Sequence, residues 1–287
     1  MDKTELRKLI AIWFEEDIRD GDHTSLCCIP PDKEGCQQVL IKAEGVLAGV
    51  EVAKEVINYF DPELRMEQLL KDGDAVKPGD IAFRVYGKEL SLLQVERTML
   101  NIMQRMSGIA TTTHTYQSLI ADTGCHVLDT RKTTPGLRYL EKEAVRIGGG
   151  MNHRIGLFDM ILLKDNHIDF AGGVTAALTG ARDYCRRKDL DLRIEVETRN
   201  TREIEEALGT GIPDRLMLDN FTPEQTREAV RLIRGWKSDK YVEIESSGNI
   251  RLDTIRAYAE TGVDFVSVGA LTHSFKSLDM SFKAVKL

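Results

Sequence analysis

The second half of the chain alternates short apolar runs with helical patterns, and this alternation constrains the fold more than any other feature. Helical segments are predicted at Thr201–Leu208, Pro223–Arg234 and Arg251–Glu260, and Thr222 with Gln225 predicts a capping box at the second of them. Repeated strand–helix units predict a parallel sheet with helical crossovers. The predicted strands are Val127–Thr130, Met160–Leu163, Arg193–Val196, Arg215–Leu218, Tyr241–Ile244 and Phe265–Val268.

Each of these strands is followed by polar residues or glycine. In an α/β barrel the carboxyl ends of all strands converge on one mouth, whereas an open sheet binds ligands mainly at one switch point. Polar groups after every strand therefore favour a barrel. A candidate seventh strand lies near Val145–Gly148, so the barrel is expected to have fewer than eight strands.

The first half of the chain has a different pattern. Residues 1–20 predict an amphipathic helix, and a long helix is predicted from about Ser91 to Ile109 with Arg97 on its outward face. Six apolar residues of that helix should be buried: Leu92, Val95, Met99, Ile102, Met103 and Met106. Strand-like stretches precede it at Gln37–Lys42, Val46–Val50 and Ile81–Val85, and a glycine-rich turn lies at 72–80.

Composition excludes several classes of protein. The net charge of −7 argues against nucleic-acid binding, and no apolar run reaches the roughly 18–20 residues of a membrane helix. The acidic start of the sequence is unlike a signal or transit peptide. Five cysteines without CxxC spacing fit reduced thiols, so a cytoplasmic location is expected.

Cationic residues gather on the segments that follow the predicted strands. They are Arg131, Lys132, Arg138, Arg154 and Lys164, with His153 beside Arg154. Arginine binds planar carboxylates and phosphates through two parallel hydrogen bonds. Any one of these residues could be structural, but the whole cluster in an acidic protein predicts a small ligand with several negative charges.

Two acids and two glycine turns complete the predicted mouth. Glu197 and Asp219 each end a strand, where they form either salt bridges to nearby cations or a site for Mg²⁺ bound to a phosphorylated substrate. The turns Ser247-Gly248 and Gly269-Ala270 are tight turns or loops that bind phosphate through backbone N–H groups. No nucleophile–base pair stands out, so the pattern favours group transfer through anion binding and charge stabilisation.

The ordered motifs resemble those of the quinolinate phosphoribosyltransferase family. Asp129–Arg138 (DTRKTTPGLR) resembles its signature, and the similarity extends from about Glu16 to His273. The other matching segments are Glu96–Thr98, Ser107–Thr111, Asn152–Arg154, Leu163–His167, Glu195–Glu197, Leu218–Asn220, Glu245–Gly248 and Val268–His273.

The resemblance implies a fold, a domain division and an assembly. The expected fold is α/β, with an N-terminal α/β sandwich domain (1–110, to which 274–287 returns) and an incomplete, seven-stranded α/β barrel (111–273). Family members form dimers or larger homo-oligomers in which a partner covers the barrel mouth. Arg97 would then reach the site of the neighbouring subunit.

The resemblance also implies a reaction: phosphoribosyl transfer from phosphoribosyl pyrophosphate to quinolinate, with loss of CO₂ and pyrophosphate, to give nicotinate mononucleotide. Arg131, His153, Arg154 and Lys164 would bind the quinolinate carboxylates. Lys132 and Lys164 would meet the donor, and Glu197 and Asp219 would hold Mg²⁺ and the ribose hydroxyls; these four are the expected catalytic residues. The remaining expected contacts are Thr133, Ser247, Gly248, Asn249, Gly269, Ala270 and His273, chiefly with phosphate.

One position departs from the family pattern, and alternatives to the assignment exist. Asn249 stands where many members have a second glycine; asparagine tolerates a positive φ, so little loss is expected. The alternatives are a related enzyme that uses nicotinate, and a fold relative tied to molybdenum metabolism. The turn at 72–80 also suggests a non-catalytic carrier or anion-binding protein. A nicotinate enzyme would need fewer cations because its substrate has one carboxylate.

Overall fold

The computed structural model describes residues 3–238 and 240–285. The first two residues of the first predicted helix and the last two of the returning C-terminal segment therefore lie outside the described residues. The strands are β1 (Glu34–Ile41), β2 (Gly45–Val46), β3 (Arg65–Gln68), β4 (Ala75–Val76), β5 (Ile81–Lys88), β6 (His126–Leu128), β7 (Ile161–Leu163), β8 (Ile194–Thr198), β9 (Arg215–Asp219), β10 (Glu243–Ser247), β11 (Phe265–Ser267) and β12 (Met280–Ala284). The helices are α1 (Lys3–Asp17), α2 (His23–Cys28), α3 (Val50–Phe60), α4 (Glu89–Ser118), α5 (Arg138–Ile147), α6 (Asp165–Ala171), α7 (Val174–Lys188), α8 (Thr201–Thr210), α9 (Pro223–Gly235), α10 (Ile255–Ala259) and α11 (Ala270–His273).

The chain divides into two compact units. The first contains the residues up to His114, Thr134–Gly149 and the residues from Ser274; the second contains Thr115–Thr133 and Gly150–His273. Compared with the domains predicted from sequence, the main difference is that 134–149 belong to the first unit. Of the helices that the structure describes, none is both long and apolar enough to cross a membrane.

The first unit is built on an antiparallel sheet in the order β12-β1-β5-β3. Strand β12 pairs with β1 in a register that places Gln37 opposite Ala284 and Ile41 opposite Met280. Helix α4 is longer than predicted, and all six of its apolar positions predicted to be inside are buried. Arg97 is exposed on the same helix, as expected.

The predicted strand Val46–Val50 is wrong beyond Val46. Helix α3 begins at Val50, after Gly49 with φ of +96°. The Val50 N–H donates to Oδ1 of Asp72 over 2.8 Å, so the 72–80 turn supplies a cap for this helix. A short apolar run does not by itself distinguish a strand from the start of a buried helix.

The second unit contains a parallel sheet in the order β6-β11-β10-β9-β8-β7. All six strands predicted in this half are present, with ends shifted by at most three residues; the largest shift is at Tyr241–Ile244, where β10 runs from Glu243 to Ser247. Within the described residues β6 and β7 are not paired with each other, so the barrel is incomplete. The candidate seventh strand at Val145–Gly148 is wrong, because these residues end helix α5; instead Met151 makes a single parallel bridge to Leu128.

Strand register arranges the inward-facing side chains in layers. Glu195 and Glu243 both lie opposite Arg215, one layer below Met217. Met217 is in turn paired with Glu245, and Asp219 with Ser247. Because side chains alternate along a strand, residues two apart on one strand lie in successive layers. The layer of Arg215 lies toward the amino ends of the strands, and that of Asp219 lies at the carboxyl ends.

Candidate active site

A cavity of about 710 Å³ opens at the carboxyl ends of the parallel strands, within the second unit. Its wall combines cations, acids and small polar groups from segments far apart in sequence. The predicted residues that line it are Arg131, Lys132, His153, Arg154, Lys164, Asp219, Ser247, Gly248, Asn249, Gly269, Ala270 and His273. The mouth predicted from the strand ends is therefore present as a single cavity.

Two guanidinium groups lie close together in this cavity. Burial lowers the pKa of Arg154, and the neighbouring positive charge of Arg131 lowers it further. The Arg154 Nη1 donates to the carbonyl oxygen of Met160 over 3.3 Å, which fixes one end of the guanidinium. Two like charges held together in a partly buried wall favour an anionic ligand between them. Arg138, which the charge pattern grouped with these residues, begins α5 in the first unit.

The two predicted acids lie at the ends of neighbouring strands. Nζ of Lys164 is 3.4 Å from Oε2 of Glu197, which is buried. Burial is the main cause that raises the pKa of Glu197; Lys164 opposes it, and the charge of Asp219 adds to it. Nδ2 of Asn220 donates to Oδ2 of Asp219 over 2.6 Å. The acids thus interact electrostatically, and one of them is tied to a lysine of the cavity wall.

The turns after β9 and β10 contain backbone conformations that favour glycine or asparagine. Gly248 has φ of +100°, Asn249 +52° and Asn220 +58°. The positive φ at Asn249 confirms that asparagine fits where the family often has glycine. A Cβ on Gly248 would overlap the side chain of Asn220, so the two loops approach as closely as a glycine allows.

The loop after β11 packs against the loop after β6. A Cβ on Gly269 would lie 3.1 Å from Nε2 of His273 and 3.2 Å from Cδ of Lys132. Oγ1 of Thr272 donates to the backbone carbonyl of Lys132 over 2.9 Å. These contacts bring lysine, histidine and exposed backbone to one wall of the cavity, a combination suited to a phosphate group.

A buried ionic cluster forms the floor of the cavity; it consists of His153, Glu195, Glu245 and Arg215. Nε2 of His153 lies 3.0 Å from Oε2 of Glu195 and 3.5 Å from Oε2 of Glu245. Nη1 of Arg215 lies 3.0 Å from the same oxygen of Glu245. Burial raises the pKa of both carboxyl groups. His153, Glu195 and Glu245 have ligand atoms within 4.8 Å of one another, the spacing of a metal site, but Arg215 already places a fixed positive charge beside Glu245.

Three predicted site residues are not among those that line the cavity. Glu197 is connected to it through Lys164. Thr133 is the last residue of its segment in the second unit, and Arg97 belongs to the first unit. Roles for these three residues, like those of the residues that line the cavity, remain predictions.

Residues that the sequence patterns did not single out also shape the site. Glu195, Glu245 and Arg215 form most of the floor, and Oδ1 of the buried Asp129 accepts a hydrogen bond from the His153 N–H over 2.8 Å. The available signal was strand alternation, which places Glu195 on the same side of its strand as Glu197. Acids at inward positions of apolar strands indicate a buried polar network.

Comparison with known proteins decides the family. The quinolinate phosphoribosyl transferase C-terminal domain matches residues 109–283, and its N-terminal domain matches 22–107. The chain belongs to the quinolinate phosphoribosyltransferase family. The resemblance seen in the motifs is confirmed, and the carrier alternative is excluded for the chain as a whole.

Relatives in this family align over nearly the whole chain. A carboxylating nicotinate-nucleotide pyrophosphorylase of Arabidopsis thaliana is 42% identical, over 97% of this chain and 82% of the relative. A probable carboxylating nicotinate-nucleotide pyrophosphorylase of Bacillus subtilis is 39% identical, over 98% and 94%. The crystal structure of NadC from Streptococcus pyogenes superposes with a TM-score of 0.92 and 38% identity, covering 100% of this chain and 99% of that one.

Proposed function

We propose that this protein transfers the phosphoribosyl group of phosphoribosyl pyrophosphate to quinolinate and releases pyrophosphate and CO₂, giving nicotinate mononucleotide for NAD biosynthesis. The observation that carries the proposal is a single cavity in which Arg131, Arg154, Lys132 and Lys164 lie with Asp219. Such a cavity can bind two anionic reactants together. Relatives bear the names quinolinate phosphoribosyltransferase, decarboxylating, and nicotinate-nucleotide pyrophosphorylase, carboxylating.

The paired arginines suit the dicarboxylate. In the proposed complex Arg131, Arg154 and Lys164 contact the quinolinate carboxylates, and His153 contributes to the same wall. The closeness of two guanidinium groups supports this assignment, because a dianion relieves their mutual repulsion. A substrate with one carboxylate would leave more of this charge uncompensated.

The glycine turns suit the phosphates of the donor. Ser247, Gly248 and Asn249 offer backbone and side-chain donors on one loop, and Gly269 with Ala270 offers backbone N–H groups on the next. His273 and Lys132 lie against Gly269 and would meet the same phosphate groups. Thr133, which follows Lys132, is proposed as a further contact.

Glu197 and Asp219 fit a magnesium ion that binds together with the donor. Mg²⁺ prefers oxygen ligands and often takes one or two protein carboxylates besides substrate phosphates. The charge of Asp219 contributes to the raised pKa of Glu197, which Lys164 offsets only in part, so a further cation would relieve the repulsion between the two acids. When bound, the ion would neutralise phosphate charge as pyrophosphate departs.

Catalysis in this proposal is positioning and charge stabilisation. Quinolinate nitrogen attacks the ribose carbon, the bond to pyrophosphate breaks, and its electron pair leaves with the pyrophosphate oxygen. Lys132 and Lys164 stabilise that leaving charge, while Glu197 and Asp219 face the positive charge that develops on the ribose. The ring nitrogen is then cationic, so it stabilises the electron pair left on the ring carbon when CO₂ departs; that carbon takes up a proton.

Assembly, domain division and location are also proposals. A homodimer, or a larger homo-oligomer, would let the exposed Arg97 reach the cavity of a second subunit. The sandwich and barrel domains are proposed at 1–110 with 274–287 and at 111–273. A cytoplasmic location is proposed from the free thiols; some plant relatives are named chloroplastic or mitochondrial.

One assay tests the reaction. The purified protein is incubated with phosphoribosyl pyrophosphate, Mg²⁺ and either quinolinate or nicotinate, and CO₂, pyrophosphate and the nucleotide product are measured. Quinolinate should give all three in equal amounts. Turnover of nicotinate without turnover of quinolinate would overturn the substrate assignment.

A further inference from the structure

The ionic cluster beneath the cavity contains charged groups for which the proposed reaction has no use. Glu195 and Glu245 have no exposed surface, and Arg215 is also buried. A buried ion pair gains little stability over apolar residues of similar size because desolvation opposes the attraction. Four polar side chains packed under a binding cavity therefore call for an explanation beyond stability.

Hydrogen bonds determine which nitrogen of His153 carries the proton. The backbone N–H of Arg154 donates to Nδ1 of His153 over 2.7 Å. A backbone N–H is always a donor, so Nδ1 is the acceptor and carries no proton. The proton of the neutral imidazole is then on Nε2, which faces Oε2 of Glu195 at 3.0 Å and Oε2 of Glu245 at 3.5 Å.

Two sets of contacts hold the His153–Arg154 segment from outside: Asp129 accepts from the His153 backbone N–H, and the two glutamates face Nε2 of the ring. Within the segment, the imidazole accepts from the Arg154 backbone N–H. The Arg154 guanidinium extends from the same segment into the cavity wall. A rotation of the imidazole would remove the acceptor of the Arg154 N–H and displace this part of the wall.

Arg215 keeps the two glutamates in place from below. Its Nη1 lies 3.0 Å from Glu245 and 3.9 Å from Glu195, and its Cζ lies 4.3 Å from the ring centre of Phe265. The guanidinium also contacts Glu243, which is nearer the opposite end of the barrel. The cluster thus forms a chain of contacts from Arg215 through the glutamates to the imidazole.

We propose that Glu195 and Glu245 are positioning residues that fix the His153 imidazole and, through it, the Arg154 guanidinium in the orientation that binds the pyridine dicarboxylate. The inference rests on the proposed function. Both glutamates are buried and face the His153 imidazole, and in this proposal they act through it. The donor contacts lie on the other loops of the cavity, so the effect of the glutamates should be confined to quinolinate.

The test compares Glu245→Gln with the matched control Glu243→Gln. Both residues belong to β10 and both contact Arg215, but among the His153 contacts given above only Glu245 takes part. Glutamine keeps the size of the side chain and removes its charge, so the imidazole and Arg215 lose the carboxylate that both contact in the wild type. Glu245→Gln should raise the KM for quinolinate by about tenfold or more, with the KM for phosphoribosyl pyrophosphate within about twofold of wild type. Glu243→Gln should leave both constants within about twofold.

Glu195→Gln provides a second variant with the same expected pattern, and circular dichroism establishes which variants are folded. Equal increases in both KM values, or an unchanged KM for quinolinate, would overturn the proposal. Loss of folded protein in both variants would also overturn it, since the cluster would then maintain the barrel and not the orientation of the ring. A wild-type protein that fails to turn over quinolinate would instead contradict the proposed function.

Discussion

The ammonium group of Lys164 lies 3.4 Å from Oε2 of Glu197, and this contact joins the loop after β7 to the end of β8. The lysine faces the cavity while the glutamate is buried beside it. The pair therefore places a positive charge at the wall without leaving the buried carboxylate uncompensated. Removing the lysine should therefore take a positive charge from the cavity wall and also leave the buried carboxylate of Glu197 uncompensated.

Lys164→Met should lower kcat by about a hundredfold or more, the usual loss when a preorganised charge that stabilises a leaving group is removed. The matched control is Lys188→Met, which alters an exposed lysine in the last turn of α7. Steady-state rates at saturating quinolinate and phosphoribosyl pyrophosphate give the comparison. A Lys164→Met enzyme with wild-type kcat would show that the lysine has no part in the chemical step.

Arg154→Lys should weaken quinolinate binding by about ten- to a hundredfold, because lysine replaces a fork of parallel donors by a single point charge. Arg186→Lys, on the exposed last turn of α7, is the control and should be neutral. Isothermal calorimetry with quinolinate alone measures the effect directly. Retained affinity in Arg154→Lys would place the dicarboxylate elsewhere in the cavity.

Gly248→Ala should raise the KM for phosphoribosyl pyrophosphate by about tenfold, because the new Cβ overlaps Asn220 and shifts a loop proposed to bind phosphate. The control Gly172→Ala separates the effect of the overlap from that of backbone strain at a positive φ. Gly172 has a comparable φ of +88°, and a Cβ there would meet no atom within 4 Å. The control should lose about 1 kcal/mol of stability and keep its KM. A similar KM change in both variants would refute a role for the close approach.

The buried glutamates should make stability depend on pH. Burial raises the pKa of Glu245 to about 7, above the ordinary value near 4.3. Between these values the folded protein holds a proton that the unfolded chain has released, so stability falls as pH rises through this window and levels off above it. The Tm of wild type should therefore fall between about pH 5 and pH 7 more steeply than that of Glu245→Gln. Parallel Tm profiles would contradict this prediction.

The five cysteines should separate into two classes by reactivity. Cys27 and Cys28 are exposed, while Cys36, Cys125 and Cys185 are buried as free thiols. Burial also raises the pKa of Cys125 to about 12, which removes its reactive thiolate at neutral pH. Titration of the native protein with Ellman's reagent should show two fast thiols, and all five should react after denaturation. More than two fast thiols in the native protein would contradict the described burial.

Much of the barrel could be predicted because its strands are short runs rich in apolar residues, separated by helical patterns, and because α8 and α9 begin with side-chain caps. The predicted capping box at Thr222 and Gln225 is present, with both hydrogen bonds formed. The run at Val145–Gly148 misled because a four-residue stretch with two apolar residues and a terminal glycine fits either a strand or the end of an amphipathic helix. Helix α5 buries Leu140, Ala144 and Val145 on one side, which only the longer pattern reveals.

Except for His153 and Arg154, which follow only the bridge at Met151, the cavity residues were predictable because they end or follow a strand, and barrel topology brings such positions together. The residues of the cavity floor were not predictable, because which of their charges lie side by side depends on the register between neighbouring strands. Only the pairing of Arg215 with both Glu195 and Glu243 shows that these charges compensate one another inside the barrel. Sequence gives the alternation along each strand, but not which residues of neighbouring strands lie side by side.

The pairing of β12 with β1 has a consequence for biogenesis. Residues 37–41 leave the ribosome early, yet their partners at 280–284 emerge only after the complete barrel has been translated. Until then one edge of this sheet presents unsatisfied backbone N–H and C=O groups. The first unit to be synthesised is thus the last to be completed, and nascent chains would need protection from edge-to-edge association throughout that interval.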